Sequence, residues 1–393
     1  MSNDISQTIK PICGSGLKFH PVLLSYCATF LKPEMLHVYR QVTGISNFRN
    51  IVATRHSENA TRFPYRDLVE LKKSPWRAIH RSWHRWRGER VPVSRSEANQ
   101  LDRICQSEDV SLIHIYFGTE AARLLGWMAR VKTPVIVSFH GADVSSSLTD
   151  AEFAEICRYA KLILHRSDSL RQVLLKRGAP EGKLRSNPTG VPISPLEPLS
   201  EGFFSGPLRI LQACRFISKK GLDVTLRAVK LLKESGYQVE LTLAGDGPER
   251  EALQAVARQE GIESCVRWTG FLDSESLSWE YARHGIFVHP SRETSSGDRE
   301  GIPNSLIEAM AAGRVVVGTR HSGIPEVVTD GFNGRLIDRA DPEDLAQVLR
   351  EIASRPSDAI SMASEARRTV VDKFSSAACV RQLEACYNEA LKQ

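Results

Sequence analysis

Short apolar runs alternate with amphipathic stretches along most of the chain. Residues 21–30, 51–54, 110–116, 133–139 and 162–165 are mostly apolar and of strand length. Between them, Leu36, Val38, Tyr39 and Val42 recur at helical spacing before Gly44. Residues 120–130 and 169–177 read as further helices, the last stopped by Gly178. This strand–helix–strand rhythm predicts a parallel sheet with helices on its faces. The second half repeats it. Strands are expected over 208–214, 239–244, 266–270, 285–289 and 315–319. Helices are expected over 222–234, 249–260, 272–283, 345–354 and 377–391. The fold class is therefore α/β. Between 188 and 207, five prolines accompany Gly202 and Gly206, which is linker composition. It divides the chain into domains over 1–195 and 207–376.

One stretch of the second half holds most of the candidate chemistry. Pro290 and Ser291 end the strand at 285–289, and a polar loop runs on to Arg299. Gly301, Ile302, Pro303, Asn304 and Ser305 then open a helix that continues to Gly313. Pro303 suits a first turn, where a missing N–H costs nothing, and Gly313 suits an exit. A helix N-terminus aimed out of the end of a sheet is an anion site. Glu300 stands just before it and Glu308 lies eight residues further on. Acids near a helix start complement the macrodipole, which accounts for Glu300 and not for Glu308. Eight residues of helix cover about 12 Å. That is the span from the sugar of a nucleotide-sugar, across its diphosphate, to the ribose. Glu293 is a nearby carboxylate without this spacing.

The strand at 133–139 runs into His140-Gly-Ala-Asp143. Open α/β sheets place ligands just past the carboxyl ends of their strands, so His140 is a site candidate. Asp143 fits either a site role or a helix cap.

Composition narrows the class. A chain of 393 residues with 41% hydrophobic and 25% charged residues is an ordinary globular protein of two or three domains. The net charge of +6 does not by itself argue for nucleic acid. No apolar run reaches the roughly 18 residues of a membrane span. Residues 1–17 read as a loose leader without the basic and apolar regions of a signal peptide. The eight cysteines are scattered with no CxxC pair, which suits free thiols and argues against a zinc site. The expected location is the cytoplasm.

Residues 72–95 change that picture. They carry eight Lys or Arg residues, interleaved with Trp76, Trp83 and Trp86, and Glu89 is the one acid. An interfacial helix on an anionic membrane wants both charge and tryptophan. A surface hairpin whose tryptophans pack on the domain uses the same residues. No nucleic-acid motif accompanies the charge.

Five short motifs now stand in order. They are Arg215-x4-Lys220-Gly221, Gly245-Asp-Gly-Pro248, Thr269-Gly270-Phe271, Glu300-x7-Glu308 and Gly323-Ile-Pro-Glu326. The set resembles the nucleotide-sugar-binding domain of the GT-B retaining glycosyltransferases of family 4. His140-Gly-Ala-Asp143 and Glu300-Gly-Ile-Pro303 are similar to transferases of bacterial exopolysaccharide assembly, of the colanic acid and amylovoran types. The resemblance implies two Rossmann-like domains facing a cleft, an acceptor domain first and a donor domain second. It also implies that the last helix, 377–393, crosses back to the first domain.

The resemblance implies roles as well. Arg215 and Lys220 hold the diphosphate and neutralise charge as the nucleotide leaves. The N–H groups of Asn304 and Ser305, beside Gly301, Ile302 and Pro303, add the helix end. Glu308 takes the ribose hydroxyls, and Glu300 orients the donor sugar. Gly245 and Gly247 let the backbone near the nucleotide, and Phe271 and Leu272 border the base. His140 contacts the donor sugar or the reacting carbon. Lys32, Glu34 and Asp143 fall on the acceptor side. Retention would follow from attack on the leaving-group face, with a phosphate oxygen taking the proton.

Two departures stand out. Ile302-Pro303 replaces a common Phe-Gly, and Lys32-Pro-Glu-Met35 stands where many members carry Gly-Gly. The chain holds no Asp-x-Asp, so no metal is expected at the diphosphate. The expectation is a hexosyltransferase using a nucleotide-diphosphate sugar, UDP-linked in preference to GDP-linked, with no resident cofactor. Its acceptor is a lipid-linked or membrane-proximal glycan, and residues 72–95 place it at the inner face of a membrane. A soluble acceptor, or a catalytically silent nucleotide-sugar-binding subunit, are the alternatives.

Overall fold

The computed structural model describes residues 20–32, 35–73, 82–84, 86–88, 90–141, 143–144, 148–294 and 301–392. In chain order the first-half strands are β1 (Val22–Tyr26), β2 (Thr29–Phe30), β3 (Arg49–Thr54), β4 (His56–Ser57), β5 (Leu68–Glu70), β6 (Val110–Tyr116), β7 (Val135–Phe139), β8 (Leu162–His165) and β9 (Leu184–Ser186). Seven of them form a parallel sheet in the order β5-β3-β1-β6-β7-β8-β9, and β2 pairs with β4 apart from it. The second sheet uses β10 (Leu208–Ala213), β11 (Val239–Ala244), β12 (Val266–Gly270), β13 (Ile286–His289), β14 (Val315–Thr319) and β15 (Arg335–Ile337). Its order is β12-β11-β10-β13-β14-β15.

The helices are α1 (Leu36–Gly44), α2 (Arg95–Ser107), α3 (Gly118–Met128), α4 (Asp150–Tyr159), α5 (Asp168–Lys176), α6 (Leu222–Glu234), α7 (Arg250–Gln259), α8 (Ser274–Arg283), α9 (Asn304–Ala311), α10 (Pro342–Ser354), α11 (Pro356–Thr369) and α12 (Ser376–Lys392). A parallel strand buried on both faces must be apolar on both. Leu24 accordingly packs with Trp127 of α3 and Phe153 of α4. Leu23, pointing the other way, packs with Leu383 and Tyr387 of α12.

The final helix therefore completes the first domain. Tyr387 Oη lies 2.8 Å from His114 Nδ1. Glu384 Oε1 accepts from the backbone N–H groups of Ser46 and Asn47 at 2.7 and 2.8 Å. The chain crosses between domains twice, side by side. Val191 N–H donates to Phe374 O at 2.9 Å, and Ser376 N–H donates to Val191 O at 2.8 Å. A Cβ on Gly190 would stand 2.7 Å from Ser376 Cα, so the crossing requires glycine there.

In both sheets the strand order reverses once. The first turns at β1/β6 and the second at β10/β13. Ligands of such sheets bind outside the carboxyl ends of the strands at these switch points. The segments after β1, β6, β10 and β13 therefore border these points.

Residues 21–30 are two strands, because past Tyr26 the chain leaves the sheet and Thr29–Phe30 pairs with His56–Ser57 instead. Arg95 does not belong to the cationic stretch. It opens α2, capped by Ser94, whose side chain accepts from Glu97 N–H. Trp76, Arg77, Arg81, Arg85 and Glu89 lie outside the described residues. Trp83 and Trp86 are 50% and 84% exposed, and the Arg87 guanidinium sits 4.7 Å from the Trp83 ring centre.

Candidate active site

The second-domain wall is built at the carboxyl ends of β10 to β13. The loop holding Arg215 and Lys220 follows β10, and two backbone approaches and one ion pair fix it. Arg292 N–H donates to Lys219 O at 2.9 Å, which ties it to the loop after β13. Arg292 also grips Asp223 of α6 with both Nη atoms, at 3.0 and 2.9 Å. Gly221 adopts φ 64°, and a Cβ there would fall 2.0 Å from Pro290 O. Arg215 is exposed and Lys220 half-buried.

Gly245 and Gly247 are needed for packing against this loop. Added Cβ atoms would meet Cys214 O at 1.9 Å and Phe216 O at 2.4 Å. The close approach the structure contains is thus of backbone to backbone, which sets the height of the Arg215 loop. Phe271 is 74% exposed beyond β12. Leu272 instead packs inward on the second-domain core.

Helix α9 starts at Asn304, one residue later than a start at Pro303 would be. Pro303 is extended, with φ −69° and ψ 122°. Its carbonyl accepts from Leu306 and Ile307 N–H, at 3.1 and 3.2 Å. No protein acceptor meets the N–H of Asn304 or Ser305 among the described residues. Asn304 Oδ1 is buried there without a partner. Gly301 and Ile302 press against Gly323, whose Cβ would lie 2.8 Å from Ile302 Cγ1. Glu300 lies outside the described residues. Glu308 sits one turn into α9, and Arg40 of α1 holds it. Arg40 Nη1 donates to Glu308 Oε1 at 3.1 Å. Burial pushes the Glu308 carboxyl up from its ordinary range, and Arg40 opposes that push.

The first-domain wall is built from α1 and the ends of β6 and β7. His140 follows β7, and both its ring nitrogens are engaged. Nδ1 lies 3.1 Å from His37 Nε2, and Nε2 lies 3.0 Å from Ser138 Oγ. Phe117 covers the ring at a centroid distance of 4.3 Å. Burial holds this imidazole well below 6.5, and Arg166, His37 and His114 push the same way.

Asp143 is a clamp. Its Oδ1 accepts from His140 and Gly141 N–H at 2.8 and 2.9 Å, and its Oδ2 accepts from Gly118 N–H at 2.8 Å. It thereby caps α3 and fixes the His140 loop in one step. The capping alternative is the one its geometry matches, since both oxygens point at backbone. Arg166 faces it, and burial lowers that guanidinium to about 10 against the pull of Asp143. Lys32 is exposed in the turn before α1, where its carbonyl accepts from Met35 N–H at 2.9 Å. Glu34 lies outside the described residues.

The two walls touch at a second point. Glu326 of the Gly323–Glu326 motif reaches the N-terminus of α5. Its oxygens accept from Asp168 and Ser169 N–H at 2.6 and 3.0 Å. His37, Arg40, Ser138 and Glu326 are thus cleft residues not assigned a role from sequence. His37 and Arg40 share a face of α1 at i, i+3, which was readable as a polar stripe. Their partners lie 103 and 268 residues away, and no local pattern reveals them.

Residues 47–194 match the family model "Glycosyltransferase Family 4", and 196–369 match "Glycosyl transferases group 1". The chain is 30% identical over 279 residues to the amylovoran biosynthesis glycosyltransferase AmsK of Erwinia amylovora, covering 70% of this chain and 69% of that one. It is 31% identical over 280 residues to the putative colanic acid biosynthesis glycosyltransferase WcaL of Escherichia coli, with the same coverage. The crystal structure of Anabaena HepE with UDP and glucose superposes with a TM-score of 0.73 at 15% identity, over 94% of this chain and all of that one. Two parallel α/β domains whose switch points face one cleft make this a GT-B glycosyltransferase. The chain belongs to glycosyltransferase family 4.

Proposed function

We propose that the protein is a retaining, metal-independent hexosyltransferase that moves a sugar from a nucleotide diphosphate to a glycan acceptor. One observation carries this reading. The Arg215–Lys220 loop and the N-terminus of α9 flank the switch point of the second sheet, beside Glu308. Arg215, Lys220 and the Asn304 and Ser305 N–H groups hold the diphosphate and absorb charge on the leaving group. Glu308 takes ribose hydroxyls, and Glu300 orients the sugar. His140 lines the donor-sugar side of the cleft as a neutral imidazole whose nitrogens are held by His37 and Ser138. The domain before the 188–207 linker binds the acceptor, and the domain after it binds the donor. UDP-linked donors are proposed ahead of GDP-linked ones; HepE, a neighbour in fold, was solved with UDP and glucose, and a mannosyltransferase 26% identical to this chain is named as GDP-mannose-dependent.

The acceptor is a lipid-linked or membrane-proximal glycan in exopolysaccharide or glycolipid synthesis. Similarity to the amylovoran and colanic acid transferases supports this, as do the exposed Trp83 and Trp86 beside Arg87. No helix among the described residues is long and apolar enough to cross a membrane. The test is a panel of UDP- and GDP-sugars assayed for hydrolysis and transfer with wild type, Lys220→Ala and Glu300→Ala. Both variants should lose about a hundredfold or more in kcat. Full activity in both would overturn the site assignment.

A further inference from the structure

We propose that Arg40 is a donor-site residue contributed by the first domain: it guards Glu308 until ribose displaces it, then turns onto the diphosphate. This rests on the reading of Glu308 as the ribose carboxylate.

The pair spans the cleft, and both partners are largely enclosed. Their side chains are 17% and 21% exposed. A carboxylate so placed needs a counter-group, and in the structure Arg40 supplies it through a single Nη1 contact of 3.1 Å. A guanidinium that uses one nitrogen where it could use a two-pronged grip is easily exchanged. Ribose presents two hydroxyls that can bond the same carboxylate. The substitution therefore leaves Glu308 satisfied and Arg40 released.

The helix that carries Arg40 is itself anchored. His37 contacts His140 at 3.1 Å, and Gln41 Nε2 donates to Asn187 Oδ1 at 3.0 Å. Displacement must therefore move the side chain and leave α1 in place. Glu308 lies four residues inside α9 from Asn304, about 6 Å along the axis. That distance is within the swing of an arginine side chain. The released guanidinium thus reaches the phosphate end of the helix, where it adds positive charge from the opposite wall. The donor itself would then bridge the two domains, ribose on Glu308 and diphosphate on Arg40.

Two probes separate the two actions. The nucleoside diphosphate that wild type binds best among UDP, GDP and ADP is titrated calorimetrically, and its nucleoside is titrated by ligand-observed NMR. Arg40→Met removes the guard and the phosphate ligand together. Nucleoside binding should then tighten several-fold, while nucleoside diphosphate binding weakens about tenfold or more. Arg40→Lys, which keeps a point charge, should recover part of the diphosphate affinity. Shifts of the same sign for both probes, or no shift in either, overturn the proposal. Glu308→Gln tests the parent reading separately. If nucleoside affinity is unchanged there, the ribose assignment fails. If it falls while Arg40→Met is silent, only the role of Arg40 fails. Thermal unfolding of each variant identifies any that lost the fold, and Arg40→Lys then carries the comparison.

Discussion

His37 Nε2 and His140 Nδ1 stand 3.1 Å apart, so one imidazole must donate and the other accept. His140 is held well below 6.5 by burial and is neutral at physiological pH. Its second nitrogen meets Ser138 Oγ at 3.0 Å, which leaves the ring no orientation of its own to choose. His37→Phe would strand Nδ1 in an enclosed site. The expected cost is about 1–3 kcal/mol of stability, read by urea unfolding. A change within a few tenths would show that the contact is incidental.

The last helix should be essential to folding of the first domain. Leu383 is fully buried against Leu23, Leu112 and Ile136. Leu383→Ala should therefore destabilise by about 2–5 kcal/mol. Loss of near-UV signal from the first domain is the direct check.

His114 predicts a pH dependence. It is completely enclosed in β6, and burial pushes its imidazole down to about 3. An unfolded histidine binds its proton near 6.5. Between those two values the unfolded chain carries the extra proton. Stability from this group is thus full above 6.5 and falls as pH drops, by about 1.4 kcal/mol per unit. Relative to His114→Phe, wild type should lose stability between pH 6.5 and 5. Parallel curves would remove His114 as the cause.

The exposed tryptophans predict surface binding. Trp86 is 84% exposed beside Arg87. Flotation with vesicles rich in anionic lipid should retain wild type and release a Trp83→Ala, Trp86→Ala, Arg87→Glu triple variant. Binding by both, or by neither, would sink the membrane role.

Much of the frame was legible in the sequence, for a physical reason. Runs such as Val110–Tyr116, Leu162–His165, Val239–Ala244 and Val315–Thr319 are buried on both faces, so their length alone marks them as strands. Glycine and proline punctuation placed the helix exits. Local signals were weaker where packing decides. The helix Asp150–Tyr159 relies on a capping box at Thr149 and Glu152, and Pro356–Thr369 follows directly on its predecessor with proline in its first turn. Neither was anticipated. Within the candidate site, spacing singled out Glu308 and strand-end position singled out His140. Their partners Arg40 and His37 come from a helix whose polar face looks like any solvated face until the domains are set together. Asp143 could be narrowed only by its bonds, since a cap and a ligand use the same carboxylate.

The paired crossing at Val191 and Phe374–Ser376 makes the molecule a closed circuit. The chain leaves the first domain, builds the second, and returns to finish what it began. A fragment cut at the linker would expose Leu23, Leu112 and Ile136 to water, however complete its sheet. The first half is thus incomplete as a folding unit without the final helix. Any exchange of second domains between relatives must carry the crossing and keep the final helix matched to the first domain.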